Sequence, residues 1–278
     1  MTLFVFFAVL GAAFLHAFWN ALIKIGESRF SIMLILSIVQ GFIGLVVISF
    51  SDWPSRDVWI WLVGSGLAHT AYKLFLTYAY EQGDLSRVYP IARGAAPMAV
   101  LLFSLFYLTD PITAFEYLGV AILGLGILLM ARGVFTSGES RRLVPFALGS
   151  ALATASYSII DGLGARVSGD PTAYVGWLFL IDGTMFGIIA LTTRGPQVFK
   201  VSRQAWIAGS IASAASYGAY AIAVWAMTIA PIALVTALRE TSILFAVLIG
   251  WLVYKEKLGL AKICAAGFIV LGIIITRL

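Results

Sequence analysis

Apolar residues run through the chain in ten long stretches, each broken by only a few polar positions and separated from the next by a short polar connection. An α-helix needs about 20 predominantly apolar residues to cross the hydrocarbon core of a bilayer. The pattern therefore predicts ten membrane-spanning helices. They cover residues 3–24, 30–50, 57–80, 86–108, 113–131, 144–165, 172–192, 204–228, 231–254 and 259–276.

The composition points the same way. The chain is 61% hydrophobic and 11% charged over 278 residues, well outside the range of soluble domains. The connections are too short to hold a soluble domain, so any chemistry must take place among the helices. We predict an all-α, multi-pass integral protein of the cell membrane, with the lipid bilayer as its surroundings.

Two stretches of the sequence follow the same plan. Each places one arginine inside an apolar span, Arg93 and Arg239, and each is followed by an acidic turn and a glycine-rich span. This predicts two repeats, 1–132 and 144–278, joined by residues 133–143. Five spans per repeat is an odd number, so the second repeat must enter the membrane in the opposite orientation. Repeats inverted in this way place a substrate site near the midplane of the bilayer, between the two halves.

The positive charges indicate an orientation. A net charge of +5 would suggest a nucleic-acid partner for a soluble chain, but here most cations lie at the ends of spans, where they act as topology signals. Outside the spans, only Arg56, Arg166 and Arg277 lie on the side of the two termini. Because cytoplasmic connections are enriched in lysine and arginine, this count places both termini outside the cell. We predict no nucleic-acid partner.

The order of several motifs resembles the drug/metabolite transporter superfamily, and within it the ten-span members with two EamA domains. These motifs are the pattern from Trp19-Asn20 to Lys24 in the first span, the proline-bearing fourth span, and the acidic turn and glycine-rich last span from Tyr254 to Gly272. The resemblance covers nearly the whole chain.

The resemblance implies a carrier, often an exporter, of amino acids or other small metabolites. It also implies cytoplasmic termini, against the count of cations, so both orientations stay open. The acidic turn of the first repeat departs from the family pattern, because Asp110 stands where a glutamate is usual.

Polar residues inside the spans are the candidates for a substrate site. His69, Tyr72 and Lys73 share one face of the third span because 3.6 residues make a helical turn. A lysine so deep either lines a cavity or pairs with a buried carboxylate. Aromatic residues such as Trp19 and Tyr157 either contact substrate or anchor the protein at the membrane interface. The candidate substrate-binding residues are Trp19, Asn20, Tyr72, Lys73, Arg93, Tyr157, Ser158 and Arg239.

Asp182 lies at the centre of the seventh span, with apolar-rich sequence on both sides. A carboxylate there must be protonated, paired or hydrated. It could therefore couple transport to protons or contact the substrate, or else form a static pair with a lysine or an arginine. Glu240, His69 and Asp161 are the other candidates for coupling. The groups expected to be buried are three cations, Lys73, Arg93 and Arg239, and three acids, Asp161, Asp182 and Glu240, a balance that suits a zwitterion such as an amino acid.

Two other classes of protein are alternatives. An intramembrane hydrolase would need a catalytic motif, and the sequence contains no HExxH, no GxSxG and no GxGD. A non-transporting receptor or scaffold would not need charged residues deep in both halves. No phosphate-binding GxxxxGK[ST] loop occurs, so energy must come from a gradient or a partner. We predict a transporter without enzymatic activity, cofactor or metal, whose partners are a small polar substrate and, for coupling, protons.

Overall fold

The computed structural model describes the backbone of residues 1–23, 29–82, 85–136, 143–253, 255 and 259–278, and their side chains except at 23, 29, 80–82, 85–94, 130–136, 143 and 261. These residues form eleven α-helices and a short 3-10 helix, Pro196–Phe199, and no strand. The predicted all-helical class is confirmed. The α-helices are α1 (Leu3–Ile23), α2 (Arg29–Ile48), α3 (Trp59–Gln82), α4 (Leu85–Tyr107), α5 (Ala114–Thr136), α6 (Leu143–Ser168), α7 (Pro171–Arg194), α8 (Arg203–Ile229), α9 (Ile232–Arg239), α10 (Ser242–Leu252) and α11 (Leu260–Ile275).

The ends of α8 show how local sequence sets the helix bounds. At its start, the Ser202 hydroxyl accepts a hydrogen bond from the Ala205 backbone N–H at 3.2 Å, which satisfies a donor that has no partner within the helix. At its end, Ala230 precedes Pro231 and has φ −144° and ψ 160°. A residue before proline favours such extended backbone, so the helix stops there.

The predicted ninth span, 231–254, holds two helices rather than one. The backbone N–H groups of Glu240 and Thr241 bond only three residues back, to the carbonyls of Ala237 and Leu238, at 3.1 and 3.0 Å. The Thr241 hydroxyl also donates to the Leu238 carbonyl at 2.7 Å. Because such a side-chain bond competes with the regular backbone ladder, the helix tightens for one turn directly after Arg239. A single continuous helix in this span is therefore corrected to the pair α9 and α10.

Length and apolar composition identify six of the described helical segments as able to cross a membrane. They are Leu3–Leu22, Phe30–Ile48, Val144–Ser168, Pro171–Arg194, Arg203–Ile229 and Ile232–Leu252. Shorter apolar helical segments lie at Ala95–Tyr107, Ala114–Leu129 and Lys262–Ile275. The chain is thus a multi-pass membrane protein, while the count of ten spans stays a prediction.

The helices pack in pairs that recur between the two halves of the chain. α3 packs against α6, and α8 packs against α1. α4 also contacts α6, just as α9 and α10 contact α1. α2 packs on α7, and α5 packs on α11. In chain order, α1 corresponds to α6, α2 to α7, α3 to α8, α4 to the pair α9 and α10, and α5 to α11. Under this correspondence, the contact of α3 with α6 matches that of α8 with α1, and the contact of α4 with α6 matches that of α9 and α10 with α1. The contacts of α2 with α7 and of α5 with α11 match themselves.

Glycines bring α2 and α7 into close contact. A Cβ atom added at Gly183 would lie 2.5 Å from the Ser37 carbonyl oxygen and 3.3 Å from the Gly41 Cα, and one added at Gly44 would overlap the Gly176 carbonyl oxygen. Any larger residue would therefore push the backbones apart, as in other close contacts between membrane helices. Gly41 and Gly183 hold corresponding places in the two predicted repeats.

One ion pair ties several helix ends together on the side of the chain termini. Arg166, in the last turn of α6, donates through Nη1 and Nη2 to the two carboxylate oxygens of Asp110 at 2.7 and 3.1 Å. It also donates to the carbonyls of Met227 and Ala230 at the end of α8, at 2.8 and 3.1 Å. Asp110 in turn accepts from the Ile232 N–H at the start of α9, at 3.0 Å. This bidentate junction fixes α6, α8 and α9 relative to the connection before α5.

Apolar side chains cover the outside of the bundle, and ionisable ones lie inside it. Phe50 is 88% exposed and Phe106 79% exposed. A soluble domain would rarely present so many large apolar side chains to water, so this surface faces lipid. The buried ionisable residues of the described spans include His69, Lys73, Asp161, Asp182, Arg239 and Glu240.

Gly183→Ala should destabilise the protein because the new methyl group meets the Ser37 carbonyl. Overpacking of this kind costs about 1–3 kcal/mol. Thermal unfolding in detergent, followed by size-exclusion chromatography, should therefore show a lower midpoint for this variant.

Gly187→Ala is the matched control, one turn further along α7. Nothing lies within 4 Å of a Cβ at this position, and alanine favours a helix over glycine by up to about 1 kcal/mol. Its midpoint should equal or exceed that of the parent protein. Equal midpoints for the two variants would contradict the close contact of α2 with α7.

Candidate functional site

A cavity lies between the first and second halves of the chain. It holds about 540 Å³ of empty space, part of it open to solvent. His69, Tyr157 and Tyr220 in its wall all lie more than two turns from the ends of their helices. The cavity is therefore near the middle of the bundle. Its lining consists of Ala12, His16, Trp19, Met33, Leu36, Gln40, His69, Tyr72, Lys73, Tyr157, Phe179, Ser216, Ala219, Tyr220 and Arg239.

Lys73 and Asp182 form a buried ion pair between α3 and α7. Lys73 Nζ also donates to the Ser37 hydroxyl at 2.7 Å, and the Thr70 hydroxyl donates to Asp182 Oδ1 at 3.3 Å. Both charged side chains are almost fully buried, at 3% and 0% exposure. A buried ion pair persists when its remaining donors and acceptors are satisfied in this way. The sequence left several roles open for Asp182, and this geometry favours one of them, a static ion pair with a lysine.

Asp161 is the centre of a second buried cluster. Its Oδ1 accepts from the Tyr174 hydroxyl at 3.1 Å, and its Oδ2 accepts from the Tyr220 hydroxyl. His69 Nε2 lies 3.1 Å from the same Oδ2 and 3.3 Å from the Tyr220 hydroxyl. The cluster therefore joins α3, α6, α7 and α8 around one carboxylate that is completely buried.

Aromatic rings form much of the cavity wall. The imidazole ring of His69 stacks on the ring of Tyr157, with centroids 4.0 Å apart and an angle of 20° between the planes. Tyr72 meets Tyr157 edge to face at 5.6 Å. The Trp19 indole N–H donates to His16 Nδ1 at 3.2 Å. Trp19 and Tyr157 are buried, which does not fit a role as anchors at the membrane interface.

Arg239 lies in the cavity wall at the last residue of α9, directly before the tightened turn. Its guanidinium group stands over the Tyr220 ring, 4.9 Å from the centroid, and the residue is only 6% exposed. Among the described residues, Arg239 forms no salt bridge. An anionic partner stabilises a buried guanidinium group, and the place of Arg239 in the wall puts this group beside the cavity.

Other candidate residues lie away from the cavity or outside the described side chains. The Asn20 amide donates to the His16 carbonyl at 2.7 Å, and the Ser158 hydroxyl donates to the Thr154 carbonyl at 2.8 Å, so both bond within their own helices. Glu240 is buried in the turn between α9 and α10. The side chain of Arg93 lies outside the described residues.

Tyr220 and Tyr174 are the site residues that the sequence analysis missed. The eighth span carries a run of small residues, 212–216, which is typical of close helix packing. Tyr174 lies close to a helix start, where a tyrosine usually marks the membrane interface. The tyrosine hydroxyl groups could have identified both residues from the sequence. A tyrosine buried in an apolar span needs a hydrogen-bond partner, which indicates a polar group nearby. In the described part of the chain, no three His, Cys, Asp or Glu side chains come together as a metal site would require.

Known proteins match this chain over nearly its whole length. The EamA-like transporter family matches residues 3–132 and again residues 142–278. A Sinorhizobium protein named as an uncharacterized transporter in the cobO 3' region is 31% identical over 136 residues, which is 45% of this chain and 94% of that protein. A crystal structure with 17% sequence identity has the same fold, with a TM-score of 0.77, and the match covers 99% of this chain and 98% of the other.

Lys73→Met and Asp182→Asn should together destabilise the protein less than the sum of the two single changes. Each single change leaves one buried charge without its counter-ion, which costs roughly 3–5 kcal/mol. The double variant removes both charges. Thermal unfolding of the four proteins as a double-mutant cycle measures this coupling. Additive losses would show that the pair is not formed, and would leave Asp182 available for proton coupling.

Proposed function

The chain belongs to the EamA-like transporter family and is a membrane transporter, and from that premise we propose that it is a secondary carrier of small zwitterionic or polar metabolites such as amino acids. Its ten spans, with α9 and α10 together forming the ninth, make two inverted repeats, 1–132 and 144–278, joined by 133–143. The observation that carries the proposal is the central cavity lined by both halves. The proposed direction is export, on the family resemblance, and the proposed driving force is a proton gradient.

The symmetric packing of the helices supports the inverted repeats. A carrier built from two such repeats places its substrate between them and changes access by moving one against the other. The recurring contacts of α3 with α6 and of α8 with α1 are those that a two-fold relation between the halves would produce. The Sinorhizobium relative adds to this, because nearly all of that protein matches less than half of this chain, as a single repeat would.

Arg239 supports a substrate that carries a carboxylate. Its charge is held in a nearly dry wall, over the Tyr220 ring, and no described acid forms a salt bridge with it. A guanidinium group binds a carboxylate through two parallel N–H donors. The other cation of the described wall, Lys73, is already paired with Asp182. Arg239 is therefore the residue that we assign to the anionic end of the substrate.

The aromatic wall supports a cationic or apolar second end. Trp19, Tyr72 and Tyr157 all line the cavity, and the faces of such rings attract ammonium groups. The two buried acids nearest the wall are already bonded, Asp161 to tyrosine hydroxyls and Asp182 to Lys73. The rings would then hold the ammonium end of a zwitterion.

The junction of Asp110 with Arg166 supports closure on one side. It joins the ends of α6 and α8 to the start of α9, which places it at the end of the bundle that carries both chain termini. Alternating access requires that one side be sealed while the cavity opens to the other. We assign this junction to the closed side, and its bonds must break when that side opens.

Arg239→Gln should impair transport of carboxylate substrates. A hydrogen bond to a charged group contributes about 1.5–3 kcal/mol, so the apparent affinity should fall roughly ten- to a hundredfold. The measurement is exchange of radiolabelled amino acids by the purified protein in proteoliposomes, with the corresponding decarboxylated amines as comparison substrates. Amines that the protein carries should be insensitive to the substitution.

Arg203→Gln is the matched control, because Arg203 is an exposed arginine at the first residue of α8 and does not line the cavity. It should exchange amino acids like the parent protein. If Arg239→Gln exchanges amino acids as well as the control does, Arg239 does not bind the carboxylate. If the parent protein moves no amino acid, the proposed substrate class is wrong.

A further inference from the structure

His69 lines the cavity, and the function proposed above assigns it no role. Its Nε2 faces the Asp161 carboxylate at 3.1 Å and the Tyr220 hydroxyl at 3.3 Å. Its ring lines the cavity while the residue as a whole is only 4% exposed. Histidine is the side chain whose ordinary protonation equilibrium lies closest to neutral pH. Its position therefore combines contact with the cavity and contact with a buried acid.

Asp161 is a buried carboxyl group that accepts hydrogen bonds on both of its oxygens. Hydroxyl groups converge on both of its oxygens, Tyr174 on Oδ1 and Tyr220 on Oδ2. Such hydrogen bonds offset part of the cost of burying a carboxylate. The residue is completely buried, so its negative charge needs a positive charge close by.

Two of the described side chains are placed to supply that positive charge. His69, once protonated, would do so by direct contact, whereas Arg239 reaches Asp161 only across the Tyr220 ring. The described side chains of α2 and α4 add no charged group. Among the described side chains, the charged and titratable groups around His69, on its own helix and on α6, α7 and α8, include Tyr72, Lys73, Asp161, Tyr157, Tyr174, Asp182 and Tyr220.

We propose that His69 binds and releases the proton that is exchanged during transport, and that Asp161 is the positioning residue that holds its ring. The proposal rests on the function proposed above. A substrate carboxylate bound to Arg239 would neutralise a guanidinium charge that otherwise acts on Asp161 and His69 across the Tyr220 ring. The proton affinity of His69 then depends on whether the cavity is occupied, which is the physical requirement for coupling. The ion pair of Lys73 with Asp182 takes no part in this exchange.

The first test needs no substrate, because the chain contains only two histidines. The full-length protein is labelled with ¹³C-histidine, placed in lipid nanodiscs and followed by NMR as the pH is varied. His16→Gln assigns the two ring signals. The His69 signal should change reversibly across about pH 5 to 8, the range in which histidine side chains exchange protons, and Asp161→Asn should alter that response. A His69 ring that keeps one protonation state over this range overturns the proposal, whether or not the Asp161 variant folds.

The second test measures protons and substrate together. Proteoliposomes containing the luminal pH dye pyranine are exposed to a mixture of the twenty standard amino acids. The parent protein should change the internal pH as amino acids move, and the sign shows whether the proton travels with or against them. His69→Gln, whose amide can still donate to Asp161, should lose the proton flux while retaining exchange of amino acids.

His16→Gln is the control, since His16 also lines the cavity but accepts a hydrogen bond from Trp19 instead of facing Asp161. It should keep the parent ratio of protons to amino acids, whatever its rate. An unchanged ratio in His69→Gln overturns the role of His69. A parent protein that exchanges amino acids without any change of pH overturns coupling but leaves the carrier standing. A parent protein that moves no amino acid overturns both.

Discussion

The structure depends on the compensation of charges that are held away from water. Helices α3, α6, α7 and α9 carry buried ionisable side chains in a bundle whose outer surface is apolar. Each buried charge must find a counter-charge or several hydrogen bonds. Lys73 and Asp182 meet this requirement completely, with Ser37 and Thr70 as additional partners. Such a pair holds α3 against α7. A charge that is balanced inside the protein is a structural element, and one that is not balanced there is available to a ligand.

Close helix contacts supply the scaffold for this arrangement. The glycines of α2 and α7 let the two backbones touch, and the recurring contacts between the halves surround the cavity with residues from both. The tightened turn after Arg239 divides the ninth span at the depth of the cavity, where interrupted helices present polar groups in carriers. A movement of one half against the other would therefore change the shape and the charge of the cavity together.

Tyr220 connects the two functions assigned to the cavity. Its ring lies beneath the Arg239 guanidinium group, and its hydroxyl bonds to Asp161 beside His69. Tyr220 thus contacts both Arg239, which we assign to the substrate, and His69, which we assign to the proton. Because electrostatic interactions are strong in a dry interior, a change of charge at either group is felt at the other.

The sequence by itself determined the membrane class, the helical architecture, the family and most of the polar residues that line the cavity. These follow from local properties: the length of an apolar run, the helical period that puts His69, Tyr72 and Lys73 on one face, and the cost of a charge in hydrocarbon. Only the tertiary structure decided the partners. Lys73 and Asp182 are 109 residues apart, and His69 and Asp161 are 92 residues apart, so each cation could have paired with any of several acids. The choice depends on which helices adjoin, and a helical period specifies which face of a helix is polar but not which helix that face meets.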